Sequence, residues 1–137
     1  MAVRGCLAAL ALFAAAPLAF GAASAQEDLV AAGEKVFRKC QACHAAGEGA
    51  TNKVGPQLNA LFGRKPGSLP DYKYSEAMIA FGQDHVWDES TLTTYLHDPR
   101  GVVKGTKMVF PGLKKDEDIQ AVLAYLATFD PEGAATQ

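Results

Sequence analysis

Three side chains that could do chemistry stand within five consecutive residues, Cys40-Gln41-Ala42-Cys43-His44. A Cys-x-x-Cys-His run is the attachment pattern of a c-type haem. In that chemistry the two thiols add across the vinyl groups of the porphyrin as thioethers, and the adjacent imidazole becomes the proximal iron ligand. The motif therefore predicts one covalently bound haem c, attached through Cys40 and Cys43, with His44 as a metal ligand.

Three other uses of the cysteine pair are open at this point. A thioredoxin-like pair needs a βαβ context and a lowered thiol pKa at a helix start, whereas this pair follows a helical pattern and precedes a glycine-containing loop. A structural zinc site normally needs a second pair of ligands, and the only other histidines are His85 and His97. A simple disulfide would close a very short loop and leave His44 unexplained. The motif favours haem, and the rest of the chain decides.

The first 25 residues have the pattern of a secretory signal peptide. One cation, Arg4, precedes an apolar run rich in alanine and leucine, and a small-x-small cleavage site ends at Ala25. The apolar run is shorter than the roughly 20 residues of a spanning helix and is interrupted by Pro17. We therefore expect cleavage of residues 1–25, a mature domain of residues 26–137, and a location in a bacterial periplasm.

Length and charge restrict the class of protein further. The chain has 137 residues and a formal net charge of −2 at pH 7. Without its leader it is long enough for one small domain. A slightly acidic chain has no general electrostatic attraction to nucleic acid, and no other segment is apolar enough for stable membrane insertion. We expect a monomer with no nucleic-acid partner.

The haem motif follows an amphipathic helix. Non-polar residues recur with helical spacing at Leu29, Gly33, Val36, Phe37 and Cys40. A glycine in the middle of a helix costs about 1 kcal/mol relative to alanine. Gly33 therefore predicts that another helix crosses closely at this point.

Two further helices are predicted downstream. One has Asp88 as its N-cap and ends before Pro99. The other begins near Asp116, where acidic residues suit a first turn, and buries Ile119, Val122, Leu123 and Leu126. No run alternates as a strand, so the fold class is all-α.

The remaining segments read as turns and loops. Short turns are expected at Leu58–Phe62, closed by Gly63, and at Ser75–Phe81, closed by Gly82. The tail Asp130–Gln137 reads as a frayed end.

Three helices in so short a chain do not easily enclose a core of their own. The haem is therefore expected to fill the middle of the domain. Two long irregular stretches, 45–73 and 98–115, are expected to wrap around its faces.

Taken together, the ordered motifs resemble those of a class I cytochrome c, closest to the soluble c2-like and mitochondrial-type carriers. The similarity covers essentially the whole mature chain. The resemblance implies a cytochrome c-like fold, with three main helices plus short helices and long loops wrapped around a covalent haem. The motifs that carry it, besides Cys40-x-x-Cys43-His44, are Gly55-Pro56-x-Leu58, Gly63-Arg64, Tyr74-Ser75, Trp87, Thr91-Leu92-x-x-Tyr95-Leu96-x-Asp98-Pro99 and Gly105-Thr106-Lys107-Met108-Val109-Phe110-x-Gly112.

The family implies Met108 as the second axial ligand of the iron. A thioether is a soft ligand that favours ferrous iron and raises the reduction potential, and a loop bounded by Pro and Gly can bring it to the metal. Met78, on a short helix without that pattern, is expected to fill the core. His85 and His97 are rival ligands, and each is expected to lie at the surface or at a helix end.

Further cofactor-binding roles also follow from the resemblance alone. The Pro56 carbonyl would accept the second ring proton of His44. Tyr95 and Thr106 would lie on the Met108 side and tune it. Three residues would hydrogen-bond or neutralise the buried propionates, and they are Arg64, Tyr74 and Trp87. Gly33 and Phe37 would pack against Leu123 and Tyr125.

The sequence departs from the family pattern in two places. Met78 stands where relatives often have an asparagine within a buried polar network. Two extra residues also lie between Tyr74 and Trp87. The first departure puts in question the water arrangement near Tyr95 and Thr106. The second puts in question the conformation of the loop before Trp87.

The implied function is that of a periplasmic electron carrier rather than an enzyme. It would pass one electron at a time, in a respiratory chain or in photosynthesis. A cytochrome bc complex is the implied donor, and a cytochrome c oxidase, a photosynthetic reaction centre or a periplasmic dehydrogenase or reductase is the other partner. The alternatives, a peroxidase-like haem enzyme and a gas-binding sensor, need an open iron position that Met108 would deny.

Basic residues map by resemblance around the exposed haem edge, while many acidic residues fall at the termini and at helix starts. Such a dipole would steer the protein onto acidic docking sites; the alternative is that these are scattered, solvated cations. The residues concerned are Lys35, Lys39, Lys53, Arg100, Lys107, Lys114 and Lys115.

Overall fold

The structure, a computed structural model, describes residues 21–131 and 133. Most of the predicted leader, residues 1–20, lies outside the described residues, and the predicted cleavage site after Ala25 falls within the first helix. In the described part the secondary structure is helices and turns, with one isolated bridge residue at Phe129. The helices are α1 (Gly21–Phe37), α2 (Glu76–Asp84), α3 (Glu89–His97), α4 (Pro99–Val102) and α5 (Asp116–Leu126).

Helices α1 and α5 cross at Gly33, as the sequence predicted. A β-carbon added at Gly33 would lie 2.0 Å from the Ala121 carbonyl oxygen and 2.7 Å from Cβ of Tyr125. Next to this crossing the rings of Phe37 and Tyr125 are 5.4 Å apart between centroids. The absence of a side chain at Gly33 therefore sets the distance between the two helices, and the backbone that approaches it belongs to Ala121.

Helix α3 begins and ends as predicted. The Asp88 side chain caps it by accepting a hydrogen bond from the Thr91 amide at 2.7 Å, and the helix ends at His97, two residues before Pro99. Helix α5 begins at Asp116, carries three acidic residues in its first turn, and buries Ile119 completely.

The structure corrects two boundaries. The turn expected at Ser75–Phe81 is a helix that continues to Asp84, with Ser75 as N-cap. Gly82 lies inside it, because the Pro66 carbonyl oxygen approaches to 2.0 Å from where a β-carbon would stand. The stretch 98–115, expected to be irregular, contains α4, whose first turn is capped by the Asp98 side chain on the Gly101 amide at 3.0 Å.

A frayed end was expected for the tail Asp130–Gln137, and this expectation is wrong at Gly133. Gly133 is buried, and its amide donates to the Asp130 carbonyl at 3.1 Å. Residue 132 and residues 134–137 lie outside the described part.

The buried apolar side chains form one core between α1, α3 and α5, but this core is open on one side. Many of its members also line a cavity, which agrees with the expectation that a bound group completes the interior. Its members are Val36, Phe37, Leu61, Met78, Trp87, Leu92, Tyr95, Val103, Leu113, Ile119, Val122, Leu123 and Leu126.

Candidate functional site

A cavity of about 250 Å³ opens to solvent between the end of α1, the loop 45–73, helix α3 and the loop after α4. Its lining is mainly apolar. All of the residues that the sequence predicted for a cofactor site lie in its walls, namely Cys40, Cys43, His44, Pro56, Arg64, Tyr74, Trp87, Tyr95, Thr106 and Met108.

The first wall comes from the turns that follow α1. The amide of Cys40 donates to the Phe37 carbonyl at 2.8 Å, and the amides of Cys43 and His44 donate to the Cys40 carbonyl at 3.0 and 2.9 Å. These tight turns place both thiols and the imidazole on one side of the cavity. Cys40 is half-buried, Cys43 is exposed, and the two are not joined to each other.

The Cys40 thiol lacks the acidity of a redox-active cysteine. Burial raises its pKa to about 11, and the nearby charge of Lys39 only partly opposes that effect. A thiol-exchange centre needs a thiolate near neutral pH. The environment of Cys40 therefore disfavours the thioredoxin-like alternative.

The imidazole of His44 is held at one nitrogen only. Its Nδ1 lies 2.7 Å from the Pro56 carbonyl oxygen, so the ring donates a proton there. Burial lowers the pKa of His44, which favours the neutral ring. Nε2 is therefore left as a lone-pair donor facing the cavity, and that is the form in which histidine binds a metal.

Gly55 allows the chain to pass this close to the ring. A β-carbon at Gly55 would lie 2.4 Å from Cε1 of His44 and 2.7 Å from Nε2. In the sequence, Gly55 stands out only as part of the Gly55-Pro56-x-Leu58 motif, without a role of its own. The signal that could have revealed it is a glycine directly before the proline whose carbonyl meets the ring.

A second wall, formed by α3 and the loop after α4, carries Met108. The Tyr95 hydroxyl donates to the Met108 sulfur at 3.4 Å, and the Met108 amide donates to the Thr106 hydroxyl oxygen at 3.2 Å. The hydroxyl groups of Tyr95 and Thr106 are themselves 3.4 Å apart. Tyr95 on α3 thus contacts the sulfur, while Thr106 holds the backbone of the same methionine.

Lys107 attaches this wall to another loop. Its ammonium group donates to the carbonyls of Lys73 and Tyr74 at 3.1 and 3.3 Å. From the sequence, Lys107 was assigned to the motif around Met108 and to the docking cations, and neither assignment anticipates this contact. The contact joins residues 33 and 34 positions apart, and no local pattern indicates it.

Arg64, Tyr74 and Trp87 lie at one edge of the cavity. The Arg64 guanidinium donates to the carbonyls of Asn59 and Gln57 at 3.1 and 3.2 Å, which leaves other N–H groups for an acidic ligand. Burial lowers the pKa of Arg64, against the effect of Tyr74, and burial raises the pKa of Tyr74. Trp87 is buried, with its ring 5.0 Å from that of Tyr95.

The rival ligands are not brought to the cavity in the same way. Met78 lines it and is 8% exposed, but the Tyr95 hydroxyl is directed at Met108. The His85 ring stacks on Phe81 at 3.9 Å, with Nδ1 2.9 Å from the Phe81 carbonyl oxygen. His97 ends α3, and neither histidine is among the lining residues of this cavity.

The cavity suits a flat, largely apolar group that carries a metal and acidic substituents. Two thiols and a neutral imidazole come from one wall, a hydrogen-bonded thioether from the other, and an arginine lies at the edge. Apolar lining residues supply the faces, namely Leu58, Leu61, Leu92, Leu96, Leu113, Val122 and Leu126. This donor set and shape fit a haem and define a c-type haem protein.

Comparison with known proteins agrees with that class. The family model for cytochrome c matches residues 30–130. A cytochrome c2 of Afifella marina is 60% identical over 107 residues, covering 77% of this chain and 86% of the relative. A cytochrome c-550 of Bradyrhizobium diazoefficiens is 49% identical over 107 residues, covering 78% and 77%.

Two solved structures share the fold. Cytochrome c2 from Rhodospirillum centenum has a TM-score of 0.70 and 35% identity, covering 74% of this chain and 98% of its own. Cytochrome cH from Methylobacterium extorquens has a TM-score of 0.66 and 41% identity, covering 72% and 97%. The chain therefore belongs to the cytochrome c family, with a class I, c2-like all-α fold.

Family membership establishes the cofactor and the broad activity. The family carries one covalent c-type haem on the two cysteines of its attachment motif, to which Cys40 and Cys43 correspond. The chain is accordingly an electron-carrier cytochrome and not an enzyme. No helix in residues 21–131 is both long and apolar enough to cross a membrane.

Proposed function

We propose that this chain is a periplasmic carrier of single electrons whose haem iron is ligated by His44 and Met108. The observation that carries the proposal is the hydrogen bond from the Tyr95 hydroxyl to the Met108 sulfur, in the cavity that His44 also lines. A haem in this setting supplies a metal that cycles between the ferrous and ferric states.

In this proposal each group of the chain has one task. Cys40 and Cys43 hold the group covalently. The Pro56 carbonyl fixes the tautomer and orientation of His44 through the 2.7 Å hydrogen bond. Arg64, Tyr74 and Trp87 stabilise the acidic substituents at the buried edge, since a carboxylate removed from water needs hydrogen-bond donors.

The ligation also excludes the alternative functions. A peroxidase-like enzyme or a gas-binding sensor needs a vacant position on the iron. The Met108 thioether, which accepts a hydrogen bond from Tyr95 and whose backbone amide donates to the Thr106 hydroxyl, would occupy that position, and electrons would then be exchanged at the edge of the group.

The mouth of the cavity supports a role in docking. Two valines there are strongly exposed, Val54 at 77% and Val109 at 83%, and Lys39 and Lys107 line the same cavity. We call Val54, Val109, Lys39 and Lys107 the docking face. An apolar centre with cations beside it suits brief encounters with acidic surfaces. A cytochrome bc complex as donor, and an oxidase, a photosynthetic reaction centre or a periplasmic dehydrogenase or reductase as the other partner, fit this surface.

Several predicted docking cations are engaged within the chain. Lys39 pairs with Asp118 at 2.9 Å, with Asp118 about a quarter exposed. Lys53 donates to the Gln41 carbonyl, and Lys114 donates to the His97 carbonyl at 3.2 Å. A hydrogen bond to a carbonyl leaves the positive charge in place, whereas the carboxylate beside Lys39 offsets it.

Two measurements test the proposal. The ferric protein should show the weak absorption band near the red end of the visible spectrum that reports a methionine sulfur–iron bond, and its absence would exclude Met108 ligation. The protein isolated from the periplasm should have the mass of residues 26–137 plus one haem. A full-length chain retained in the membrane would contradict the predicted processing and location.

A further inference from the structure

The segment that presents Pro56 to His44 is held in a short ladder of hydrogen bonds. We call residues 43–59 the proximal strap. Within it the Gly55 amide donates to the Cys43 carbonyl at 2.8 Å, and the Leu58 amide donates to the Ala45 carbonyl at 2.9 Å. The His44–Pro56 contact lies between these two bonds. The geometry of the His44–Pro56 contact therefore depends on how well the start and the end of the proximal strap stay aligned with each other.

Asn59 closes the ladder at its far end. Its side-chain oxygen accepts from the Gly47 amide at 2.8 Å, and its side-chain nitrogen donates to the Gly47 carbonyl at 2.9 Å. The amide side chain thus pairs with both backbone groups of Gly47, as a peptide unit would. Asn59 is 4% exposed and is the one buried polar side chain in the described part of the chain. We call the Asn59–Gly47 pair the clamp.

The C-terminal segment covers the clamp. A β-carbon at Gly133 would lie 2.0 Å from the Gly47 carbonyl oxygen and 2.7 Å from Nδ2 of Asn59. The Ala60 amide, next along the chain, donates to the Phe129 carbonyl at 3.1 Å. With these neighbours the clamp bonds are shielded from water, where a hydrogen bond is stronger and its loss is more costly.

We propose that Asn59 is a positioning residue for the haem-ligating histidine: the clamp keeps the Pro56 carbonyl in line with Nδ1 of His44 and so sets how strongly His44 donates to the iron. The inference rests on the proposed function in taking His44 as an iron ligand. A stronger Nδ1–H···O bond makes the imidazole a more basic ligand, which stabilises ferric iron. Loosening the clamp should therefore raise the reduction potential.

Asn59→Ala in the haem-loaded protein tests the inference. We expect a higher reduction potential and about tenfold faster exchange of the His44 Nδ1 proton, because local opening of the strap becomes easier. Voltammetry measures the reduction potential, and NMR of the paramagnetically shifted His44 ring signals measures the exchange rate. If Asn59 only stabilised the fold, its loss would leave the reduction potential unchanged. The exchange of the His44 Nδ1 proton would then quicken only as much as global unfolding does.

A second variant disturbs the clamp from outside. Gly133→Ala places a methyl group against the Gly47 carbonyl and Nδ2 of Asn59 and should shift both quantities in the same direction. Gly63→Ala is the matched control, since Gly63 has φ +80° against +85° at Gly133 but nothing within 4 Å. Asp88→Ala, which removes the α3 cap, is the control for a loss of stability remote from the strap.

The outcomes separate cleanly. Shifts in Asn59→Ala and Gly133→Ala, with Gly63→Ala and Asp88→Ala unchanged in both readouts, support the inference. If Asn59→Ala and Gly133→Ala lower the unfolding midpoint but keep the wild-type potential and exchange rate, the inference is overturned. If Asn59→Ala yields no haem-loaded protein, Gly133→Ala decides. Wild-type protein without shifted His44 signals would instead contradict the proposed ligation, before any variant is made.

Discussion

On the wall that carries His44, the contacts join residues close in sequence. The thiols, the imidazole and the Pro56 carbonyl all come from residues 40–56, and ladder bonds at Gly55 and Leu58 hold the segment. On the wall that carries Met108, the supports are distant. Tyr95 reaches the sulfur from α3, and Lys107 reaches the carbonyls of Lys73 and Tyr74.

The difference concerns how each wall responds to disturbance. Short closed loops lose little chain entropy when they form, so the His44 wall is expected to be rigid. Substitutions in this wall are therefore expected to lower the stability of the fold. The Met108 loop depends on one weak contact to sulfur and a few long-range hydrogen bonds. This loop is expected to open first. Substitutions in it are expected to change the reduction potential and the iron ligation more than the overall stability.

Removing the Met108 ligand should have the largest effect on the iron. Met108→Ala should give a high-spin or misligated haem, with a potential lower by on the order of 0.1 V, within the range that axial ligands set. Met78→Leu is the matched control, because Met78 lines the same cavity, and it should stay low-spin with the sulfur–iron band. An intact band in Met108→Ala would refute the assignment.

Disturbing the His44 wall should act mainly on stability. Gly55→Ala forces a methyl group to within 2.4 Å of the His44 ring, and we expect a loss of about 3 kcal/mol in the free energy of unfolding by urea titration. The folded fraction should keep its sulfur–iron band. Gly49→Ala, at φ +69° with nothing within 4 Å, should cost about 1 kcal/mol. Equal losses in the two variants would show that the ring contact is unimportant.

Alkaline pH should exchange the Met108 ligand. A lysine amine binds ferric iron only after it loses its proton, so the Met108 form prevails below the midpoint and a lysine-ligated, low-spin form of lower potential prevails above it. Lys104 and Lys107 are the expected incoming ligands. The ferrous protein should resist, because it prefers soft sulfur.

The contact of Lys107 with the carbonyls of Lys73 and Tyr74 adds a second effect. With Lys104 as the incoming ligand, Lys107→Ala should lower the midpoint by about one pH unit, since one such hydrogen bond contributes about 1.4 kcal/mol. Lys104→Ala leaves these bonds intact, and it should raise the midpoint if Lys104 is the incoming ligand. The measurement is a pH titration of the sulfur–iron band. If the Lys104→Ala, Lys107→Ala double variant has the wild-type midpoint and alkaline spectrum, neither lysine is the incoming ligand.

The smallest effect is expected at the docking face. Electron transfer to an oxidase or reaction centre should slow as salt rises through roughly 0.1 M, where the Debye length is about 10 Å. Asp118→Asn removes the carboxylate beside Lys39. The electron-transfer rate of this variant should depend more steeply on salt, by the amount that about one additional positive charge would cause. Glu117→Gln makes the same change in net charge beside Lys115, away from the cavity. A rate that does not fall with salt would contradict a positive docking face.

The sequence allowed good prediction where the physical signal is local. Helix α3 was predicted within a residue because Asp88 caps it and Pro99 cannot continue it. The crossing at Gly33 was predicted from a glycine that is costly in a helix unless something packs against it. The end of α2 was missed because Gly82 reads as a stop locally, while the Pro66 carbonyl that requires it comes from another loop.

By itself the sequence determined the chemistry of attachment, because two thiols and an imidazole at fixed spacing on consecutive turns need no distant partner to face the same way. The prediction that Met108 is an iron ligand came from the family resemblance and not from its spacing. Only the tertiary structure decided the contacts between distant segments, namely Lys107 with Lys73 and Lys39 with Asp118, and the pairing of the Asn59 side chain with Gly47 across the proximal strap. Such contacts depend on how loops meet in space, and no periodicity along the chain encodes them.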